Sequence, residues 1–315
     1  MDMKERLEEW LKEALFRKAS DIHFIKQDGK VIQMELRTMQ GIEKVRTRPE
    51  DERLFHYLMY LSNLDVSRAY VPQSGSFEIQ IGEQNLSCRF ALIQSHHKQS
   101  AVLRILNQSH HFSIEELTPF QNNQRWMKKM IQMKSGFVLF SGLTGSGKTT
   151  TMYSLLHQIE GKKVFSLEDP IEVYQENMVQ LQVSKEQLSY EEGIKQLLRH
   201  DPDIILIGEI RDSIAAKMAY RCALTGHLVF SSIHSASSSL AISRMVDLGV
   251  SLNQLKEVLV GISYQELIEE DGHKQSVYEM MDEKELRYYF QNQKHSPEFI
   301  SLEKQIKQSE EVYFF

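Results

Sequence analysis

Cysteine is scarce in this sequence. Only Cys88 and Cys222 occur in its 315 residues, far apart and outside any Cys-x-x-Cys pair. A disulfide framework and a cysteine-ligated zinc site are therefore excluded as organising features. Long apolar runs are missing too: none approaches the roughly 18 residues of a membrane span, so any membrane association must come through a partner. Positive charge is in deficit. The 37 Lys and Arg stand against 43 Asp and Glu, for a net charge of −6, which leaves no overall nucleic-acid footprint. The opening Met-Asp-Met-Lys-Glu-Arg-Leu-Glu-Glu-Trp is acidic and amphipathic, unlike a secretory signal, and the expected compartment is the cytoplasm. What is present is ordinary for a globular protein, with 41% apolar and 25% charged residues. The length allows two domains, each with a core.

Leu7, Trp10, Leu11, Ala14 and Leu15 recur at helical spacing, which predicts a helix over 3–18. Strand-like runs follow at 22–26 and 31–36, around the hairpin signal Asp28-Gly29. Residues 51–70 read as a helix with Leu54, Leu58, Leu61 and Leu64 on one side. Further strand-like runs lie at 76–81, 86–93 and 101–106, with a turn at Gly82-Glu83-Gln84-Asn85 between the first two. Residues 1–106 thus read as an α+β domain with a largely antiparallel sheet. The polar Asn107-Gln108-Ser109-His110-His111 opens a linker placed at 107–122. Over 123–315 helical and strand-like segments alternate, which implies a parallel sheet. Its strands are expected at 136–141, 163–168, 203–208 and 228–233. The C-terminal residues, rich in Glu, Gln and Lys, read as peripheral helices and a short hairpin.

Residues 142–149, Gly-Leu-Thr-Gly-Ser-Gly-Lys-Thr, form a complete phosphate-binding pattern. An apolar strand precedes it and a helix start follows, so the helix N-terminus faces the phosphate. Gly142, Gly145 and Gly147 let the backbone turn its N–H groups inward, and Thr144, Ser146 and Thr150 belong to the same cradle. Lys148 reaches the β- and γ-phosphates, and the Thr149 hydroxyl can hold Mg²⁺. ATP and Mg²⁺ are the expected ligands. Hydrolysis needs more: a group that orients water and a second group near the metal. Such groups belong at the carboxyl ends of the strands. Glu168 ends the second strand, in Glu168-Asp169-Pro170-Ile171-Glu172, and is the candidate for polarising water. In the third strand Asp203 comes first and Glu209 last, separated by roughly 20 Å of extended chain, so one metal cannot touch both. Glu209 has the phosphate end, and Asp203 anchors the far end. Gly208 stands where many phosphate-loop enzymes carry a metal-linked Asp, so Mg²⁺ would rely on Thr149, Glu209, phosphates and water. His227 precedes the fourth strand and His234 ends it, where it can sense a γ-phosphate; neither has a second ligand at metal spacing. Arg89, Arg104, Arg199 and Arg211 are candidates for charge stabilisation, and position alone does not choose among them.

Together these pieces resemble the secretion ATPases of type II secretion, type IV pili and competence systems. In that family the phosphate loop is followed by an acidic box, a Gly-Glu form of the next nucleotide strand, and a histidine box. Here those match Gly142–Thr149, Glu168–Glu172, Asp201–Asp212 and Ala223–His234. The first domain adds Ala19-Ser20-Asp21-Ile22-His23, Pro72-Gln73-Ser74-Gly75 and Leu103-Arg104-Ile105-Leu106. The resemblance runs over residues 15–285. It implies an α/β chain with a PAS-like α+β domain followed by a RecA-like phosphate-loop domain. It implies a homohexameric ring with ATP between domains, working on a polytopic platform protein of the membrane and held peripherally there. Glu168 then carries the catalytic glutamate role and Glu209 the second-strand role, with His234 as nucleotide sensor. Arg89 and Arg104 match arginines that approach the phosphates when the domains close, and so rank above Arg199 and Arg211.

The departures narrow the branch. The large N-terminal extension and four-cysteine zinc element of many members are not found, so no zinc is expected. Residues 270–315 lack the Ala-Ile-Arg-Asn-Leu-Ile-Arg-Glu motif of retraction motors. Gln265-Glu266-Leu267 replaces the usual Gln-Arg-Leu, and Ser74 the usual Asp. The pattern is most similar to the competence members of Gram-positive bacteria, which drive assembly of a DNA-uptake pilus. Direct nucleic-acid binding is not expected, since no basic, aromatic-lined stretch is present. The rivals are a retraction or secretion motor of the same family, and a nucleotide-dependent scaffold that scarcely hydrolyses.

Overall fold

The computed structural model describes every residue except 1, 29, 39, 69, 83, 96, 107–111, 172, 184–187, 271–272 and 314–315. Gly29 and Glu83 of the expected turns, and Glu172 of the acidic box, lie outside the described residues. The chain forms two compact units, Met1–Gln108 with Glu172–Tyr174, and Ser109–Ile171 with Gln175–Phe315.

In the first unit, α1 (Met3–Phe16) opens on a capping box between Asp2 and Glu5. Three strands follow, β1 (Asp21–Gln27), β2 (Lys30–Thr38) and β3 (Gly41–Val45), then α2 (Asp51–Leu61) and the strands β4 (Gln73–Ile81), β5 (Gln84–Gln94) and β6 (Lys98–Leu106). They make one antiparallel sheet in the order β3-β2-β1-β6-β5-β4. Alternate side chains point to opposite faces. Ile22, Phe24, Met34, Cys88, Phe90 and Leu103 pack with Leu7, Leu11, Leu54 and Phe55 of the two helices. Asp21, Arg89 and Arg104 fall on the other set. The helix expected over 51–70 stops at Leu61. Asn63 takes the left-handed conformation, φ 53°, and the Leu64 amide returns to the Met59 carbonyl at 2.9 Å. Leu64 still packs on the core, so the leucine pattern outlasts the helix.

The second unit begins with α3 (Ile114–Leu117) and α4 (Gln121–Gln132). There follow β7 (Gly136–Ser141), α5 (Lys148–His157), β8 (Val164–Glu168), β9 (Val179–Gln182), α6 (Tyr190–Leu197), β10 (Ile204–Ile207), α7 (Ser213–Leu224) and β11 (Leu228–Ile233). Next are α8 (Ser238–Asp247), α9 (Leu252–Val258), β12 (Leu259–Glu270), β13 (His273–Met281), α10 (Glu283–Asn292) and α11 (Leu302–Tyr313). The sheet order is β13-β12-β7-β11-β10-β8-β9, parallel except for β13. β7, β8, β10 and β11 are buried along their whole length, as strands covered on both faces must be. Their parallel run brings residues 142, 168, 209 and 234 to one edge of the sheet. Asp203, at the opposite edge, accepts the Lys163 amide at 2.7 Å and ties the starts of two strands. The expected linker is shorter than 107–122. Residues 107–111 lie outside the described set, but Ser113 and Glu116 form a capping box, Ile114 and Leu117 are buried, and the Phe112 amide donates to Ser154 Oγ at 3.0 Å. Residues 112–122 are therefore packed chain. Among the described residues no helix is long and apolar enough to cross a membrane.

Candidate functional site

The phosphate loop joins β7 to α5, and its shape requires its glycines. Gly147 caps α5 with φ 87° and offers no side chain to the helix. The first amides of α5 therefore have neither an intrahelical acceptor nor, among the described residues, a side-chain cap, the condition under which a helix N-terminus takes an anion. A Cβ on Gly147 would stand 2.8 Å from Gln265 Nε2, and one on Gly142 would stand 2.5 Å from the Gln265 carbonyl oxygen. Gln265 of β12, itself buried, forms the floor of the loop. It also accepts a 3.0 Å bond from Thr151 Oγ1, which meets the Tyr278 hydroxyl at 3.1 Å. The Ser146 hydroxyl is buried with no hydrogen-bond partner among the described residues, an orphan that a phosphate oxygen would satisfy. Lys148 Nζ bends back onto the carbonyls of Gly142 and Leu143, at 2.8 and 2.9 Å. Burial lowers its pKa, and the nearby charge of Glu209 opposes that shift. Thr144, Gly145, Thr149 and Thr150 lie on the same loop and first helical turn.

His234, just past β11, links this loop to the third strand. Its Nδ1 lies 3.3 Å from the Gly142 carbonyl oxygen and its Nε2 lies 2.7 Å from Glu209 Oε1. Glu209 Oε2 accepts Arg211 Nε at 2.9 Å. Loop, histidine, acid and arginine thus form one continuous chain of polar contacts. His227 is differently placed: its Nδ1 meets the Cys222 carbonyl at 3.1 Å and Thr225 Oγ1 at 3.0 Å, within the turn before β11.

Glu168 stands apart from that chain. It is buried at the end of β8, with donors from three elements around its carboxylate. Ser166 Oγ reaches Oε1 at 2.5 Å, Gln180 Nε2 reaches the same oxygen at 3.0 Å, and the Tyr153 hydroxyl of α5 binds Oε2. Gly208 passes so close that a Cβ there would lie 3.1 Å from Glu168 Cγ. Glu168 and Glu209 are therefore neighbours across the β8–β10 pair, one set in a buried cage and one facing the loop. Sequence reasoning missed the cage. Ser166 was the readable part, since residues i and i+2 share a strand face; Tyr153 and Gln180 meet Glu168 only through tertiary packing. Oxygen donors from Thr149 and Glu209, with phosphate, suit Mg²⁺. Among the described residues no group of three His, Cys, Asp or Glu side chains gathers to hold a metal without phosphate.

Arg89 and Arg104 belong to the first unit, opposite each other on β5 and β6. Arg104 Nε donates to Asp21 Oδ1 at 2.7 Å, and Arg89 Nη2 donates to Ser74 Oγ at 3.2 Å. Arg199 is at the surface near Gln196.

Comparison with known proteins gives this geometry a family. The chain is 34% identical over 265 residues to the competence protein ComGA of Bacillus subtilis, covering 82% of this chain and 74% of that protein. It is 37% identical over 267 residues to ComGA of Halalkalibacterium halodurans, covering 82% and 76%. Its structure is similar to that of the pilus retraction motor PilT with bound ADP. The TM-score is 0.75 at 25% identity, over 97% of this chain and 88% of that one. The two units are accordingly a PAS-like α+β domain and a RecA-like phosphate-loop domain. The profile of the family described as type II/IV secretion system protein matches residues 2–301, and the chain belongs to that family of secretion and pilus ATPases.

Proposed function

We propose that the chain is a mechanochemical ATPase that drives assembly of a competence-type pilus for DNA uptake. The observation that supports this most is the loop-to-acid connection Gly142–His234–Glu209, in a chain most of whose length aligns with competence proteins. When ATP binds, its phosphates take the amides at the start of α5 and the Ser146 hydroxyl, and Lys148 leaves the loop carbonyls for the phosphate oxygens. The Thr149 hydroxyl and the Glu209 carboxylate, together with the phosphates, would hold Mg²⁺, which would supply neutralisation of phosphate charge there. Glu168 polarises the attacking water, with Tyr153, Ser166 and Gln180 fixing its carboxylate. Arg89 and Arg104 of the PAS-like domain close on the phosphates, and hydrolysis releases them, so each turnover moves that domain relative to the ATPase domain. In a homohexamer such strokes act on a polytopic platform protein, which holds the motor peripherally at the cytoplasmic membrane.

ATP turnover by the purified chain tests the enzyme reading, with Lys148→Ala as the inactive control. Glu168→Gln should keep nucleotide affinity and lose turnover. A Glu168→Gln protein with the parent rate overturns the base assignment. Nucleotide affinity without turnover above the Lys148→Ala background makes the chain a scaffold instead. A strictly monomeric protein in saturating nucleotide removes the ring.

A further inference from the structure

We propose that Asp21 is a positioning residue for Arg104, gripping the guanidinium at Nε so that its two Nη groups form an open fork for phosphate oxygens. The inference rests on the reading above, in which Arg104 meets the phosphates.

The register sets up a row across one face of the first sheet. Asp21 pairs with Arg37 on one side and with Arg104 on the other, and Arg104 pairs in turn with Arg89. Three arginines and a single carboxylate thus stand side by side, a surplus of positive charge suited to a polyanion. Like charges directly opposite each other repel, so Arg104 beside Arg89 needs a fixed counter-charge to hold its place. Asp21 supplies it from a buried site: its side chain is 4% exposed, while that of Arg104 is 61% exposed. The carboxylate is itself immobilised. Oδ1 takes Arg104 Nε at 2.7 Å and Oδ2 takes Ser20 Oγ at 2.7 Å. The Ser20 bond fixes the orientation of the carboxylate, and in that orientation it engages Arg104 through Nε rather than as a bidentate pair.

Arg6 in the same unit shows the alternative. Its Nε and Nη2 both bind Asp51 Oδ1, at 3.0 and 2.9 Å, and its Nη1 binds Glu9 at 2.8 Å. That side chain is 3% exposed; its donors are spent inside the fold. Arg104 spends Nε alone, and among the described residues nothing takes its Nη groups. An arginine anchored at one end and open at the other is prepared for a bidentate anion. Burial raises the Asp21 pKa, but the Ser20 hydroxyl and Arg104 outweigh it and hold the carboxyl below the usual range, so the anchor is charged at neutral pH.

The test is steady-state ATP turnover by the full chain, with kcat and KM measured separately. Asp21→Asn keeps the shape of the anchor and removes its charge. It should lower kcat about tenfold, as expected for a modest misplacement of a catalytic group, with KM for ATP within about twofold because the phosphate loop is untouched. Asp21→Glu should recover part of the loss. Ser20→Ala keeps the Asp21 charge but frees Oδ2 to capture an Nη group, and should lower kcat in the same direction. The double variant Asp21→Asn/Arg104→Ala should be no slower than Arg104→Ala alone. If Asp21→Asn costs as much kcat in the Arg104→Ala background as in the parent, or Asp21→Asn is silent while Arg104→Ala is slow, the positioning role is wrong and the arginine reading stands. If Arg104→Ala itself is silent, the arginine reading fails and the anchor falls with it.

Discussion

Gly208 is the place where a single methyl group should separate catalysis from folding. It is not in the left-handed region, so Gly208→Ala adds no backbone strain. What changes is space: the new Cβ would lie 3.1 Å from Glu168 Cγ and 3.6 Å from Glu168 Cα and Cβ. Relaxed carbon–carbon contacts lie near 3.5–4.0 Å, so the deficit is about half an ångström. Glu168 cannot yield freely, because Tyr153, Ser166 and Gln180 hold its carboxylate from three elements. Two costs follow. Overpacking takes about 1–3 kcal/mol from stability, with this mild overlap at the low end. If a misplacement of one ångström costs about a hundredfold in rate, half that distance costs about tenfold. The assay is kcat and KM for ATP beside a denaturant midpoint for the same preparation. We expect kcat to fall about tenfold, KM to stay within about twofold, and stability to drop by about 1 kcal/mol. A stability loss with parent kcat would show that the position of Glu168 does not govern the chemistry. No change in either would refute the packing of Gly208 against Glu168.

Three further outcomes follow from other parts of the molecule. Asp51 is fully buried and accepts from Arg6, from Trp10 Nε1 at 3.0 Å and from the Arg48 amide at 2.6 Å. Asp51→Ala leaves the buried Arg6 with only the half-exposed Glu9 as an acid partner and leaves its Nε and Nη2 unmatched, and should cost the first unit about 3 kcal/mol, read by urea unfolding from Trp10 fluorescence in a Trp126→Phe background; a loss below about 1 kcal/mol would contradict it. His56 has its pKa lowered by burial and by Lys26, whose Nζ lies 2.9 Å from Nε2, with Glu52 opposing. Because the folded value is depressed, the unfolded chain takes the proton first. Stability should therefore fall as pH drops through 6.5, the ordinary imidazole value, and His56→Gln should flatten that slope in thermal unfolding. Burial pushes the Cys88 and Cys222 thiols up to about 12. Neither should react with a thiol reagent at pH 8 until the chain is denatured, and a fast stoichiometric reaction of the native protein would count against their burial.

The parts legible in the sequence share a cause. β7, β8, β10 and β11 are continuous apolar runs because both faces of a parallel strand are covered, and the loop after β7 is a local pattern whose residues are adjacent in the chain. The strands that escaped notice lack such runs. β9 is Val-Gln-Leu-Gln, short and half polar. β3 is an edge strand, paired with β2, and its Ile42 and Lys44 are exposed. β12 begins apolar and ends Gln-Glu-Leu-Ile-Glu-Glu, so neither period persists along it. Leu64 misled in the other direction, keeping a core position after the helix had ended. At the site the limit is the same. The acids at strand ends were visible because strand order puts them at one edge. The Tyr153–Glu168 contact, the Gln265 floor under Gly142 and Gly147, and the Asp21–Arg104 anchor join residues 15 to 123 positions apart, and no local pattern carries them.

The two histidines show how far contacts can divide what sequence position leaves alike. Both flank β11, yet His227 is occupied with the turn that precedes the strand, whereas His234 lies between two groups that can only accept. The Gly142 carbonyl and the Glu209 carboxylate both require a donor, and a neutral imidazole carries one N–H. A neutral ring therefore serves one partner at a time, and the 2.7 Å contact marks Glu209 as the closer. The loop determines what happens next. Lys148 now donates to the Gly142 carbonyl at 2.8 Å; once phosphate draws Lys148 away, that carbonyl has His234 as its nearest remaining donor. Competition between the two acceptors would then couple nucleotide occupancy to the freedom of Glu209. His234→Ala removes the coupling and leaves the phosphate cradle intact. Its affinity for ATP should stay within about threefold of the parent while turnover falls by about tenfold or more. Fluorescent-nucleotide titration and steady-state turnover on the same preparation decide it. An affinity loss as large as the turnover loss would make the ring a wall of the nucleotide site and nothing more.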